Sequence, residues 1–204
     1  MKTKGLAVLI AVLCILLAGC TQDNLVKQTK EKADIPVKNG VFDVTMDQCI
    51  EILNKDIKKE GLPLIPTKYD SERENVLLSK NGQGVVSGDG ENFTIYSAKI
   101  TDTIEFQMLS FKRLNGGMPV MEVINTSEKK SKKGDGKLTR KYFEIICNNV
   151  EPRFDAENFF ISFFENKHYE LGQFYFWCGI MNSGDDKIRQ YVVTTNTDLF
   201  SFYI

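Results

Sequence analysis

The 204-residue chain is poor in the residues that build common catalytic and metal sites. It has a single histidine, His168, and none of its five cysteines forms a CxxC pair. Catalytic triads require a histidine, and most zinc sites take several histidines or paired cysteines. The sequence therefore predicts no catalytic residue set, no metal site and no cofactor. We interpret the polar stretch around His168 as a surface loop after a helix, with a general-base role as the alternative.

An excess of either charge is also lacking. The formal net charge is -1, with 42% hydrophobic and 26% charged residues, which is usual for a globular protein. A nucleic-acid-binding domain is normally basic, so the composition argues against a nucleic-acid partner. The glycine-rich segments at residues 81–84 and 88–90 lack the strand–GxGxxG–helix context of a phosphate-binding loop. They are interpreted as hairpin turns.

What the chain does have is an apolar run at its beginning. Lys2 and Lys4 precede an uncharged stretch over residues 5–18 that is rich in Leu, Ile, Val and Ala. A membrane-spanning helix needs about 20 apolar residues, and this stretch is shorter. A cationic start, a short apolar stretch and small residues before a polar sequence are typical of an export signal. A buried helix is the alternative, but such a helix normally carries one polar face.

The segment Leu17-Ala18-Gly19-Cys20 closes this run and resembles the lipobox of bacterial lipoproteins. The resemblance implies cleavage between Gly19 and Cys20, a diacylglyceryl group on the Cys20 thiol, and acylation of the new amine of Cys20. Two or more acyl chains anchor a protein stably, whereas one chain is marginal. We therefore expect a protein held to the extracytoplasmic face of a cell membrane through the lipid on Cys20.

The sequence divides into three parts: a lipoprotein signal peptide over residues 1–19, a lipidated flexible tether over 20–40, and a single domain over 41–204. The tether is polar and lysine-rich and shows no apolar periodicity. Such segments bury too little apolar surface to offset the entropy lost on ordering. No second linker and no sequence repeat is visible, so one domain is expected.

The first element of that domain is predicted to be a helix. Thr45-Met46-Asp47-Gln48 has the form of a capping box, and apolar residues follow at helical spacing until Gly61 and Pro63. Helical spacing returns over residues 138–150, and Asp155 caps a short aromatic helix. Strand-like runs are at 93–99, 103–112, 119–125, 173–181, 187–195 and 199–204.

Helices and strands therefore come in blocks, which favours an α+β fold over alternating βαβ units. The predicted architecture is a two-layer antiparallel sheet packed against a few helices, and the element order allows two similar halves. Small two-layer domains of this kind resemble those on Gram-positive lipoproteins of unknown role. That resemblance concerns organisation only.

Three cysteines, Cys49, Cys147 and Cys178, fall in the predicted domain. Outside the cytoplasm a disulfide is allowed, and Cys147 on the second helix can meet Cys178 on a late strand across the two layers. The alternative is three separate buried thiols. Both arrangements stay open on the sequence alone.

Two surface features suggest partners. In the run Phe174-Tyr175-Phe176-Trp177, neighbouring side chains point to opposite faces of a strand, and Tyr175 and Trp177 are the candidate binding face. Burial of the whole run is the alternative. Lysines at 129, 130, 132 and 133 form a basic cluster, which would suit anionic lipid or simply a solvated loop.

These features favour a non-enzymatic binding or accessory module with a protein or envelope partner. Two alternatives remain: a cell-envelope enzyme that uses carboxylates, and a protective or immunity lipoprotein.

Overall fold

The computed structural model describes residues 32–78, 84–86, 91–162, 167–183 and 185–195. Three α-helices lie in these ranges: α1 (Met46–Lys59), α2 (Asp135–Val150) and α3 (Ala156–Ser162). The strands in the same ranges are β1 (Val37–Lys38), β2 (Val41–Phe42), β3 (Asp70–Leu78), β4 (Gly84–Val86), β5 (Glu91–Lys99), β6 (Ile104–Phe111), β7 (Gly117–Asn125), β8 (Lys167–Leu171), β9 (Phe174–Ser183) and β10 (Asp186–Thr194).

The strands form one antiparallel sheet in the order β4-β3-β5-β6-β7-β10-β9-β8. Strands β1 and β2 form a small hairpin that joins the sheet where Phe42 pairs with Met118 of β7. The predicted α+β class is confirmed. The order β5-β6-β7 mirrors β8-β9-β10 about the central β7–β10 pair, and each set follows helical structure in the chain. The two-half organisation is therefore visible in the topology.

Helix α1 begins at the predicted capping box. The Thr45 N–H donates to Gln48 Oε1 at 2.8 Å, and the Gln48 N–H donates to Thr45 Oγ1 at 3.3 Å. These bonds satisfy two of the N–H groups that a helix start leaves without partners. One face of α1 is buried against the sheet and comprises Met46, Cys49, Ile50, Leu53 and Ile57. The helix prediction is confirmed.

Helix α2 crosses the centre of the sheet, where it packs on β7 and β10. Its Tyr142 hydroxyl donates to the Pro63 carbonyl at 2.6 Å, and burial raises the pKa of Tyr142 to about 12, so the phenol remains a donor at neutral pH. Beside α2 the core is aromatic: the rings of Phe154 and Phe176 stack at 3.7 Å. This packing fixes α2 relative to the second half of the sheet.

The other face of the sheet carries a second apolar cluster. Side chains alternate between faces along a strand, so Phe176 faces the helices while Trp177 faces away from them. The second cluster comprises Phe93, Leu109, Phe111, Val120, Trp177 and Val192.

No helix in the ranges given above is long and apolar enough to cross a membrane.

The fold begins before the predicted boundary at residue 41. Ile35 is 1% exposed and packs in the main core, and its N–H donates to the Asn149 carbonyl at 2.9 Å. Residues 32–40 therefore belong to the domain, and the tether predicted over 20–40 is too long. The apolar residues Ile35 and Val37 form too short a run to establish a periodicity, which is why sequence patterning missed this segment.

Two further predictions, for the His168 stretch and for the segment that forms β3, differ from the structure. The stretch around His168 was expected to be a loop, but His168 lies on β8 in register with Trp177, and it is exposed. Strand β3 was missed because its first six residues are charged or polar. These residues precede the pairing with β4, which covers Val76 to Leu78, and charged residues are common along such an unpaired stretch of a sheet border. The signal peptide, the cleavage site at Gly19, the lipid site at Cys20 and the strand predicted over 199–204 lie outside the described residues.

Candidate anion-binding site

A groove of about 460 Å³ lies where α2 begins over the central strands. Its lining is polar and mostly cationic: Asn125, Glu128, Ser131, Gly136, Lys137, Arg140, Arg189 and Tyr191. We call it the Arg140 groove. Three elements supply it, namely the end of β7 with the loop after it, the first turns of α2, and β10.

The positions of the cations follow from simple geometry. Lys137 and Arg140 are three residues apart on α2, so they lie on one side of the helix. Arg189 and Tyr191 are two residues apart on β10, so they share the helix-facing side of the sheet. Arg189 pairs in register with Asn125 of β7. Because α2 packs across β7 and β10, the two pairs converge on one groove.

Arg140 is held in place by aromatic side chains. Its Nε–H donates to the Tyr191 hydroxyl at 3.4 Å, and its guanidinium carbon lies 5.4 Å from the centre of the Phe160 ring. Tyr191 is fully buried, and burial raises its pKa, so the phenol is neutral at neutral pH. The guanidinium is thereby oriented without an ion pair, since both partners are uncharged.

Arg189 is oriented differently, by a carboxylate. Its Nη2 donates to Glu128 Oε1 at 2.8 Å, and the two side chains are 25% and 37% exposed. Burial acts to lower the pKa of Arg189, but the bond to Glu128 and the contact with Tyr191 outweigh burial and raise it. Arg189 therefore stays charged at the floor of the groove.

The loop over residues 127–134, here the lysine loop, is fastened at both ends. The Ser127 hydroxyl donates to Asp186, a bond that is the main cause of the lowered pKa of Asp186. At the other end, Asp135 Oδ2 accepts from the Thr103 hydroxyl at 2.7 Å and from the Lys132 N–H at 2.8 Å. The lysine side chains between these points are exposed.

The charges around the groove are unbalanced. Residues 127–141 contain seven lysines or arginines and two carboxylates, Glu128 and Asp135. Both carboxylates are already engaged, Glu128 by Arg189 and Asp135 by Thr103 and Lys132. Within the described ranges, no ion pair involves Lys129, Lys130, Lys132, Lys133, Lys137 or Arg140. Such clustering produces a local positive potential that attracts anions.

A second groove of about 580 Å³ adjoins the first and shares Lys137 and Arg140 with it. Leu62, Leu138 and Phe160 form its apolar wall. Lys141 lies on its rim and pairs with Glu60 at 3.6 Å and with Glu144 at 3.1 Å. We call it the apolar groove. Glu144 and Glu157 also line it, so the shared Arg140 stands between a cationic groove and one that combines an apolar wall with charges of both signs.

The candidate binding face at Tyr175 and Trp177 is less accessible than this site. Both side chains lie on the helix-free face of the sheet, but Trp177 is 2% exposed and Tyr175 is half-buried. Burial raises the pKa of Tyr175, with a further contribution from its hydrogen bond to Glu170. Of the two residues, only Tyr175 offers surface to a partner.

The disulfide considered between Cys147 and Cys178 is not formed. Cys49, Cys147 and Cys178 are all thiols, and Cys147 is buried on α2 while Cys178 lies on β9 beneath the helical layer. Cys49 lies 3.8 Å from the Met121 sulfur, and burial raises its pKa far above the usual thiol range. The structure corresponds to the arrangement of separate thiols.

The enzymatic alternative would need carboxylates that face a cleft. Glu122 is 3% exposed on the helix-free face and accepts from Gln190 Nε2 at 3.4 Å. Glu105, on the adjacent strand, accepts from Ser97 at 2.9 Å and from Gln107 at 3.1 Å. These oxygens bond within the sheet, and neither residue lines the Arg140 groove or the apolar groove. The carboxylates that do line the grooves are Glu128, which pairs with Arg189, and Glu144 and Glu157 in the apolar groove, where Glu144 pairs with Lys141.

Comparison with known proteins leaves function to be inferred from these residues. No protein-family model, curated protein or solved structure matches the chain. In the part of the chain that the structure describes, no group of three or more His, Cys, Asp or Glu side chains could hold a metal ion.

Sequence patterning identified the lysine loop but not the groove beside it. A signal for Lys137 and Arg140 was present, since they follow the lysines at helical spacing. Arg189 and Tyr191 had no such signal, because they reach the site through the pairing of β10 with β7.

Proposed function

We propose that this protein is a lipid-anchored, non-enzymatic binding module on the extracytoplasmic face of a cell membrane, and that it holds an anionic ligand in the Arg140 groove. The observation that supports the binding role is the convergence of Lys137, Arg140 and Arg189 on one concave site. The lipobox at residues 17–20 supports the anchoring.

The physical case for an anion begins with the uncompensated charge. Opposite unit charges about 4 Å apart attract by roughly 4 kcal/mol at the effective dielectric constant of a protein surface. The Arg140 groove provides three cations against the single carboxylate of Glu128, so an anion entering it gains from more than one partner. Arg side chains also present planar N–H donors that match oxyanions.

The structure around these cations limits the cost of binding. Arg140 contacts Tyr191 and Phe160, and Arg189 pairs with Glu128, so part of the side-chain freedom at those two positions is lost before a ligand binds. A preorganised cationic groove of this kind suits the recognition of an anion.

The anchoring is tested by replacing the lipidated residue. In a Cys20→Ala variant we expect the precursor to remain uncleaved and without lipid, because the thiol is the acyl acceptor. Intact mass of the membrane-extracted protein gives the answer: the normal chain should start at Cys20 and carry acyl chains. A Cys20→Ala chain cut at the same site would contradict the anchoring.

Binding is tested separately with the mature lipidated chain in non-ionic detergent. Anions of increasing charge are titrated by calorimetry against the normal chain, Lys137→Ala and the control Lys38→Ala. Lys38 is an exposed lysine of β1, whose hairpin joins β7 at the end opposite Asn125. We expect Lys137→Ala alone to weaken binding, by about tenfold for one lost charge contact. Equal affinity in the two variants would contradict the site.

A further inference from the structure

We infer that the ligand is a small molecule with a phosphate monoester, whose phosphate binds in the Arg140 groove while an apolar body lies in the apolar groove. This inference rests on the proposed anion-binding function and specifies its ligand class. Three properties of the site support it: its charge, its two compartments and the burial of part of its lining.

The charge of the groove matches a dianion. Lys137, Arg140 and Arg189 carry three positive charges, and Glu128 carries one negative charge, so the lining has a net charge of +2. Tyr191, which faces the same space from β10, is neutral because burial raises its pKa. A phosphate monoester carries about -1.5 to -2 near neutral pH and balances this charge. A carboxylate, a sulfate ester or a phosphodiester brings only one negative charge.

The donors also suit a phosphate group. A guanidinium has five N–H donors, and in the described part of the chain the only side-chain hydrogen bond of Arg140 is made by its Nε–H to Tyr191. The four terminal N–H donors of Arg140 are therefore left for phosphate oxygens. Lys137 lies one helical turn away on α2 and adds an ammonium group from the same side.

The two compartments point to a small molecule with an apolar part. The volumes, about 460 and 580 Å³, lie within the usual range of small-molecule sites. Arg140 and Lys137 border both compartments, so a ligand with its phosphate on these cations has an adjacent wall of Leu62, Leu138 and Phe160 for a ring or alkyl group.

The burial of the lining favours this ligand over a membrane surface. Asn125 and Tyr191, which line the Arg140 groove, are 3% and 0% exposed, whereas the lysines of the loop beside them are exposed. A flat layer of lipid head groups meets the loop lysines first, whereas a discrete phosphate reaches the floor. We therefore assign the groove to a small ligand, and make lipid binding an outcome of the test.

The test compares phenyl phosphate with phenyl sulfate, two ligands of the same shape that differ in charge. Affinities are measured by calorimetry on the mature lipidated chain in non-ionic detergent, at pH 7.5 and pH 5. We expect phenyl phosphate to bind about tenfold more tightly at pH 7.5, for one additional charge contact. At pH 5 the advantage should disappear, because the second phosphate pKa is about 6. Both ligands meet the same protein charges, so the ratio isolates the ligand proton.

Variants locate the site. Arg140→Ala and Lys137→Ala should each weaken phenyl phosphate about 10- to 100-fold, and Lys38→Ala should leave it unchanged. Lys137 is exposed and makes no ion pair in the described ranges, so Lys137→Ala remains informative even if Arg140→Ala disturbs the packing of Phe160. Leu138→Ser should weaken phenyl phosphate more than inorganic phosphate, because Leu138 belongs to the apolar wall and does not line the Arg140 groove.

The outcomes separate the two proposals. If phenyl sulfate binds as tightly as phenyl phosphate at pH 7.5, the phosphate inference is wrong while anion binding stands. If no anion binds, the proposed function fails as well. If the protein instead binds vesicles containing phosphatidylglycerol through Arg140 and ignores phenyl phosphate, the ligand is a lipid surface, and the small-molecule inference is overturned.

Discussion

Replacing Ile35 by alanine should destabilise the whole domain, although the residue lies in a stretch whose sequence resembles a tether. Ile35 is 1% exposed and packs in the main core. Its backbone N–H bonds to the carbonyl of Asn149 near the end of α2, where the Asn149 side chain donates to Asp56 of α1 at 3.0 Å. The segment therefore closes the end of the interface between α1 and α2.

The expected magnitude follows from burial. Truncating a fully buried Ile to Ala costs about 2–5 kcal/mol, the loss of apolar transfer energy plus the cavity left behind. For a domain of this size, each 1 kcal/mol shifts the melting temperature by about 2–4 °C. We therefore expect a fall of about 3 kcal/mol in the free energy of unfolding, and a lower melting temperature by roughly 6–12 °C.

The assay is urea unfolding followed by circular dichroism, with Lys32→Ala as the matched control. Lys32 is three residues away and exposed. We expect that control to lie within about 0.5 kcal/mol of the normal chain, as is usual for surface substitutions. An Ile35→Ala variant as stable as the Lys32→Ala control would refute the inclusion of residues 32–40 in the fold.

Three further predictions concern thiols, pH and the groove. Because Cys49, Cys147 and Cys178 are thiols, the intact mass should not change on reduction, and a gain of two hydrogens would contradict the thiol state. Cys49 should react with thiol reagents only on unfolding, because it is buried and burial raises its pKa. The pKa of Asp56 is lowered, chiefly by its bond from Lys59, so its stabilising contribution is present above about pH 4 and is lost as pH falls through the lowered value. The unfolding free energy of Asp56→Asn should therefore vary less than that of the normal chain between about pH 4 and pH 2. If the unfolding free energies of the two chains fall in parallel over this pH range, Asp56 makes no such contribution. Glu128→Gln removes the carboxylate that pairs with Arg189. Because it removes the negative charge from the Arg140 groove, it should tighten anion binding measured by calorimetry. A weaker affinity would show instead that Glu128 is needed to hold Arg189 in place.

Local patterns were sufficient for some elements. The Thr45–Gln48 box and the apolar face of α1 were readable because a capping box and a helical stripe involve residues three or four apart. Strands β5 to β7 were readable from alternation for the same reason. The short β1 and β8 were not, because a strand of a few residues gains its stability from neighbours that are distant in the chain.

The sequence by itself determined the charges, the helical spacing of Lys137 and Arg140, and the lipobox that predicts anchoring. Only the tertiary structure brought Arg189 and Tyr191 beneath Arg140, since they lie about fifty residues further along the chain and arrive through the β7–β10 pairing. The tertiary structure also buried Ile35 and Trp177. The physical reason is the same in each case: local spacing sets which side of a helix or strand a residue occupies, but what that side meets depends on elements that are remote in sequence and packed against it.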